Sequence, residues 1–146
     1  MSAIYKRPES VLIVVFTREC QVLVLNRINP TEFWQSVTGS LEWNESAESA
    51  AFRELQEETG LLIESNVLTH HSEMNCFPIA PAWRARYDPE VEYNIEHTFS
   101  VSFAEAPEIS LSSKEHSEYQ WLEKADAIQK VSSYTNKKSI SDIVPD

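Results

Sequence analysis

Gly39-Ser40-Leu41-Glu42-Trp43-Asn44-Glu45, followed after seven residues by Arg53-Glu54-Leu55-Gln56-Glu57-Glu58-Thr59-Gly60-Leu61, decides how this chain is read. The chain has only two glycines, and they stand at the two ends of this stretch, with its densest run of carboxylates between them. The pattern predicts a helix over about residues 47–59, with Ser46 as N-cap and Glu48 in the first turn, where a negative charge suits the helix dipole. Gly60 is placed to end it as a left-handed C′ residue. Glu54, Glu57 and Glu58 stand at i, i+3 and i+4 and are expected on one face. Like charges at that spacing weaken an isolated helix by about 0.2–0.5 kcal/mol per pair, so something must compensate. A hard divalent cation with oxygen ligands does so, and Mg²⁺ is held by one or two carboxylates together with water and phosphate. Arg53, four residues before Glu57, is placed to orient that carboxylate. A Glu-rich helix alone would read as a solvated acidic face. Gly39 argues for a site, because its missing side chain lets backbone come close to a ligand.

A chain of 146 residues, 42% of them hydrophobic, is expected to form one domain over residues 1–146 with a core that needs no disulfide or metal staple. Its net charge of −11 argues against nucleic acid or an anionic membrane as partner. The same charge would repel a polyphosphate unless cations and local basic residues screened the site, which again calls for a divalent ion. Cys20 and Cys76 are isolated, with no metal-ligand spacing. With no signal-peptide pattern and no apolar run of membrane-span length, a cytoplasmic protein with reduced thiols is expected, as monomer or homodimer.

Ser10 to Phe16 is a continuous apolar run of the kind found in a strand buried on both faces, and Gln21 to Arg27 forms a second strand after a turn near Thr17-Arg18-Glu19-Cys20. Phe33 to Thr38 reads as one extended segment leading into Gly39, and Leu61 to Cys76 as an interrupted strand. Pro78, Pro81 and Pro89 mark an irregular excursion. Asn94 to Glu105 alternates, with Phe99, Val101 and Phe103 on one face; Tyr119 to Leu122 is a short strand. Lys124–Val131 and Asn136–Val144 are predicted helices. Strands mixed with helices on both sides predict an α/β (α+β) protein, an α/β/α sandwich around a mixed sheet.

The stretch from Gly39 to Leu61 matches the Nudix box at every specified position: seven fixed identities and two aliphatic residues. A chance match in a chain this short is less probable than about one in a million. The chain therefore resembles the Nudix hydrolases, and the resemblance implies their fold and metal-dependent hydrolysis of a diphosphate linked to another group. Tyr5-Lys6-Arg7-Pro8, Phe33 to Ser40, Glu115-His116 with Tyr119 to Leu122, and Ser133-Tyr134-Thr135-Asn136 are similar to the branch whose members act on dihydroneopterin triphosphate in bacterial folate synthesis. That branch implies release of pyrophosphate and dihydroneopterin monophosphate. Nucleoside triphosphates such as dATP or an oxidised guanine nucleotide are the alternative within the enzyme class, and a ligand-sensing module is the alternative outside it.

The resemblance also implies roles. Glu54 and Glu58 would be the leading ligands of Mg²⁺ or Mn²⁺, the Gly39 carbonyl a further one, Glu57 a ligand or base, and Glu115 a base or additional ligand, with Arg53 as their catalytic companion. Lys6, Arg27, Thr38, Ser133 and the segment Phe77-Pro78-Ile79-Ala80 would contact the triphosphate substrate. Trp83 and Phe77 suit a pocket wall for a flat heterocycle, and Trp121 suits the core. His70, His71 and His97 lie in predicted strands and read as ordinary imidazoles, whereas His116, next to Glu115, fits a site role or none.

Overall fold

The computed structural model describes residues 5–146. Its centre is β1 (Glu9–Thr17), whose apolar run divides between two cores because successive side chains of a strand point to opposite faces. Val11, Ile13 and Val15 join Leu23, Leu25, Phe99, Val101 and the helix residues Ala50, Ala51 and Leu55. Leu12 and Val14 face the other way, onto Val22, Val24, Trp34, Ala127, Val131 and Ile140. A strand can be apolar throughout only if both faces are covered, and here each face carries helix. On one side lies α1 (Ala47–Thr59), and on the other α2 (Lys124–Lys130) and α3 (Tyr134–Ile143). This is the expected α/β/α sandwich.

Among the described residues the sheet has seven strands. β1 pairs in antiparallel fashion with β2 (Gln21–Arg27) and β4 (Val37–Ser40), and in parallel with β6 (Tyr93–Phe103). β3 (Trp34–Gln35) and β7 (His116–Glu123) pair with β2, and β5 (Thr69–Pro78) pairs with β6 at the edge. The predicted turn between the first two strands is closed by the Cys20 N–H donating to the Thr17 carbonyl at 2.8 Å. Among the described residues, no helix is long and apolar enough to cross a membrane.

Several elements differ from expectation. Phe33 to Thr38 is two strands, because the Ser36 N–H is taken by the Asn136 Oδ1 at 2.8 Å and the chain there leaves β2 for β1. Leu61 to Leu68 forms no strand: Leu61, Ile63 and Leu68 pack against the first core, so their apolar character records burial without sheet pairing. The last helix begins at Tyr134, with Ser133 as N-cap accepting from the Asn136 N–H. β7 is longer than Tyr119–Leu122, its polar ends having concealed it.

Around α1 the local signals act as read. The Ser46 side chain accepts from the Ser49 N–H, and Gly60 takes φ +77° while its N–H donates to Gln56 at 2.8 Å. A Cβ at Gly60 would also stand 3.0 Å from the Ser110 Cβ. Gly60→Ala should therefore destabilise the fold by about 1–2 kcal/mol through left-handed strain alone. Urea denaturation of the two proteins checks this; unchanged stability would mean that the helix end has another stop.

Candidate active site

α1 meets the sheet at the end of β4, and the glycine there sets how close they come. A Cβ built on Gly39 would run into the carboxyl carbon and both oxygens of Glu54, so only glycine leaves that carboxylate its place. Arg53 holds the same corner together. It donates to both oxygens of Glu45, at 2.9 and 2.8 Å, to the Ser40 carbonyl at 3.1 Å, and to Glu54 at 2.8 Å. The expected bond to Glu57 is present, longer at 3.2 Å and exposed. The bidentate pair with Glu45 is the stronger geometry, and it ties the first carboxylate of the motif to the helix.

The three helix glutamates do not form one cluster. Glu54 and Glu58 are 8% and 1% exposed, whereas Glu57 lies outward. A turn of 3.6 residues sets neighbours about 100° apart around the axis, so Glu57 and Glu58 flank Glu54 on opposite sides and only one flank faces the sheet. Glu58 is joined instead by residues from the far end of the chain: Glu58, Glu115 and His116 each offer a ligand atom within 4.8 Å of the others. His116 opens β7 and is 3% exposed, with its Nε2 3.2 Å from the Gln35 side chain and 3.9 Å from Glu58. The remaining histidines are engaged elsewhere: His70 stacks on Phe99, His71 meets Ser100, and His97 meets Glu9.

Beside this cluster opens a cavity of about 190 Å³ lined by Lys6, Arg27, Thr38, Gly39, Phe77, Ile79, Ala80 and Ser133 among others. Pro78 is absent from the wall, because strand alternation that turns Phe77 and Ile79 inward turns it out. Arg27 lies over the Trp83 ring at 5.6 Å, Phe33 meets that ring edge-on at 5.7 Å, and Lys6 lies over Tyr87 at 5.9 Å. Burial, then the charges of Arg86 and Arg27, hold the Lys6 ammonium below its ordinary value, while Glu54 and Glu115 pull it back. The cations of the cleft thus lie within electrostatic reach of the acidic cluster. Trp121, by contrast, packs against the first core.

The Nudix domain model matches residues 6–143. The chain belongs to the Nudix family. It is 35% identical over 147 residues to the dihydroneopterin triphosphate diphosphatase of Escherichia coli K12, covering 97% of this chain and 95% of that protein. The Haemophilus influenzae enzyme of the same name is 36% identical over 141 residues, covering 93% and 87%. The solved structure of the E. coli dihydroneopterin triphosphate pyrophosphohydrolase superposes with a TM-score of 0.89 at 35% identity, covering 97% of each chain. This is a Nudix hydrolase, and Nudix hydrolases use divalent metal ions.

The acidic corner of this Nudix chain fits such an ion. Glu58 Oε1 is buried with no hydrogen-bond partner, and the facing donors are hard carboxylate oxygens with one imidazole. Burial, then the hydrogen bond and charge of Glu54, then Glu115, push the Glu58 carboxyl well above the usual range. Burial raises Glu54 too, against the opposing hydrogen bonds of Glu58 and Arg53. His116 is pushed down to about 4 by burial and the Arg27 charge, so its imidazole is neutral at physiological pH. Sequence reasoning missed the cleft residues Ser10, Gln35, Arg86, Asn94, Glu96 and Asn136. Alternating polar residues such as Asn94, Glu96, Thr98 and Ser100 look like a solvent face until a helix covers them.

The metal-free protein should therefore carry a cost at Glu58. A carboxyl raised by folding favours the folded state below its ordinary value near 4.5, and that contribution is lost as pH rises through the raised value. In chelator at pH 8, Glu58→Gln should melt above wild type, and the gap should close near pH 4. Added Mg²⁺ should raise the wild-type melting temperature more than that of the variant. A variant that melts below wild type in chelator at pH 8 would show that Glu58 is not strained.

Proposed function

We propose that this Nudix hydrolase converts dihydroneopterin triphosphate to dihydroneopterin monophosphate and pyrophosphate with Mg²⁺, for which Mn²⁺ substitutes. It does so as one domain over residues 1–146 in the cytoplasm, monomeric or homodimeric, with a small-molecule triphosphate as ligand and neither nucleic acid nor membrane as partner. The observation that carries this reading is a cavity with aromatic and polar walls whose cations, Lys6 and Arg27, feel the charges of the acidic corner beyond Gly39. These parts match a flat heterocycle, a polyphosphate tail and a divalent ion. Two relatives at 35% and 36% identity, covered over 95% and 87% of their lengths, carry the diphosphatase name.

Glu54 and Glu58, with the Gly39 carbonyl, would hold the ion, and Arg53 keeps Glu54 pointed at that place. A bound divalent cation supplies neutralising charge for the phosphate oxygens and acidity to water near it. Of the two glutamates open for the base role, Glu115 is the better placed: its carboxylate lies within 4.8 Å of Glu58 and His116, whereas Glu57 lies outward and is engaged by Arg53. Glu115 takes the proton of a water whose oxygen bonds to one of the first two phosphorus atoms as the P–O bridge between them breaks, so that the monophosphate and pyrophosphate separate. Lys6 and Arg27 bind the oxygens of the tail, and Trp83 and Phe77 wall the ring. Neutral His116 sits beside Glu58 without adding a competing positive charge.

Pyrophosphate release should be measured across dihydroneopterin triphosphate, nucleoside triphosphates, dinucleoside polyphosphates and ADP-ribose, with Mg²⁺ and with chelator. Turnover of the pterin substrate should need the cation, and Glu58→Gln should lower kcat about a hundredfold or more with the fold intact. A preference for dATP would move the assignment to a nucleotide pyrophosphohydrolase, and no turnover of any substrate would favour a sensor.

Arg27 meets the aromatic wall and feels the charge of Glu58, so it bridges ring and tail. Arg27→Ala should change the kcat/KM ratio of dihydroneopterin triphosphate to dATP by about tenfold or more, whereas Glu54→Gln should lower both in parallel. Equal scaling of both substrates in Arg27→Ala would remove it from substrate selection.

A further inference from the structure

Two side chains on the floor of the cleft take no part in the chemistry above. Asn94 and Glu96 stand two residues apart on β6, hence on one face, roughly 7 Å apart along the strand. Both line the cavity, at 4% and 5% exposure. Asn94 donates its amide N–H to the Ser10 hydroxyl at 2.8 Å, and its Oδ1 is buried with no partner. Glu96 accepts from the Asn75 amide at 3.2 Å and from the Thr135 hydroxyl. Among the described residues it has no ion-pair partner. The acceptors left without a full set of donors are thus the Asn94 Oδ1 and the Glu96 carboxylate.

An unpaired buried carboxylate and an unpartnered amide oxygen cost folding energy unless a ligand brings donors to them. Burial indeed holds the Glu96 carboxyl above its ordinary range, against the two hydrogen bonds it accepts. A phosphate oxygen would be repelled here, and the cations suited to it, Lys6 and Arg27, are the ones that feel the acidic corner. The organic head of the substrate is left for the floor. A 2-amino-4-oxopyrimidine ring, the half of a pterin that guanine shares, carries a ring N–H beside an exocyclic amino group. Two parallel N–H donors match a carboxylate in bidentate fashion.

We propose that Asn94 and Glu96 are specificity-determining residues that read the donor edge of a 2-amino-4-oxopyrimidine ring. This deepens, and rests on, the reading of the cleft as the site of a pterin triphosphate. Adenine fits the pair less well, because it sets a ring nitrogen acceptor beside its amino group. Glutamine at position 96 keeps an acceptor for Asn75 and turns a donor toward the ligand, so the substitution inverts the pattern with little change in volume.

The test compares wild type, Glu96→Gln and Asn94→Ala in two assays on the full chain. The first is kcat/KM on dihydroneopterin triphosphate and on dATP. The second is equilibrium binding of neopterin and of its 2-oxo analogue, neither of which carries phosphate. In Glu96→Gln the ratio of pterin to dATP turnover should fall about ten- to hundredfold, and the preference for the 2-amino over the 2-oxo ring should fall similarly or reverse. Asn94→Ala should reduce the same preference about three- to tenfold, which keeps the test decisive if Glu96→Gln folds poorly. A purely structural role, through Asn75 and Thr135, would lower both substrates together and leave the ring preference unmoved, and that result overturns the proposal. If wild type does not turn over dihydroneopterin triphosphate, the substrate reading falls; the two-ring binding comparison then decides the role of this pair by the same criterion.

Discussion

Glu54 and Glu58 are buried against each other one helical turn apart, beside Gly39, where a Cβ would displace the Glu54 carboxylate. Two like charges in so small a space are unfavourable, and neither pairs fully with a cation of the chain. Arg53 answers Glu54, but its remaining donors go to Glu45, Ser40 and Glu57. The unmet demand stays on Glu58, whose Oε1 has no partner. The site is thus a stored electrostatic deficit that a divalent cation relieves, and metal binding and fold stability are linked through it. Local rules are broken at this corner, where chemistry needs it.

Everything around the corner serves to hold it still. The capped helix is seated on the first core through Ala50, Ala51 and Leu55, so the direction of its acidic flank is set by apolar packing. β4 runs beside β1 and brings Thr38 and Gly39 against that flank. Glu115 and His116 arrive from the start of β7, held by its pairing with β2 and by the Ile28 N–H donating to the Glu115 carbonyl at 2.9 Å. Rigid elements thus supply the helix carboxylates and the buried imidazole, while Glu115 is exposed. An exposed carboxylate suits the base role proposed for Glu115.

The opposite face of the sheet does different work. Near β4 and β6 the second core gives way to buried polar residues, where Ser10, Asn94, Glu96 and Asn136 replace the apolar contacts found around Ile140. The Asn136 amide bonds both the Ser36 N–H and the Ser36 hydroxyl, which docks the start of α3 on the strand switch and closes one wall of the cleft. A chain with a net charge of −11 concentrates Lys6, Arg27 and Arg86 along this cleft. Placing those cations next to the acids lets an anionic substrate approach an acidic protein.

Helix α1, its caps, the two-faced β1 and the sandwich architecture were legible in the sequence because each rests on local periodicity or on a residue with a special backbone role. The motif spacing likewise placed Glu54 and Glu58 on adjoining turns, and resemblance named Lys6, Arg27, Thr38 and Ser133 for the cleft wall. Periodicity misjudged Glu57, because i+3 and i+4 neighbours share a face only approximately, and which flank is buried depends on the position of the sheet. It found the Arg53–Glu57 pair but not the stronger one with Glu45, which lies outside the helix and approaches only in the folded chain. Nor could it separate Pro78 from Phe77 and Ile79, or reveal that Asn94 and Glu96 are inside. The sequence by itself determined the family, the helix that bears the acids and the glycines that permit it, since those depend on contacts within a few residues. Only the tertiary structure decided which acids are buried, which distant residues join them and which polar strand face becomes a pocket floor, because burial is a property of what packs on top.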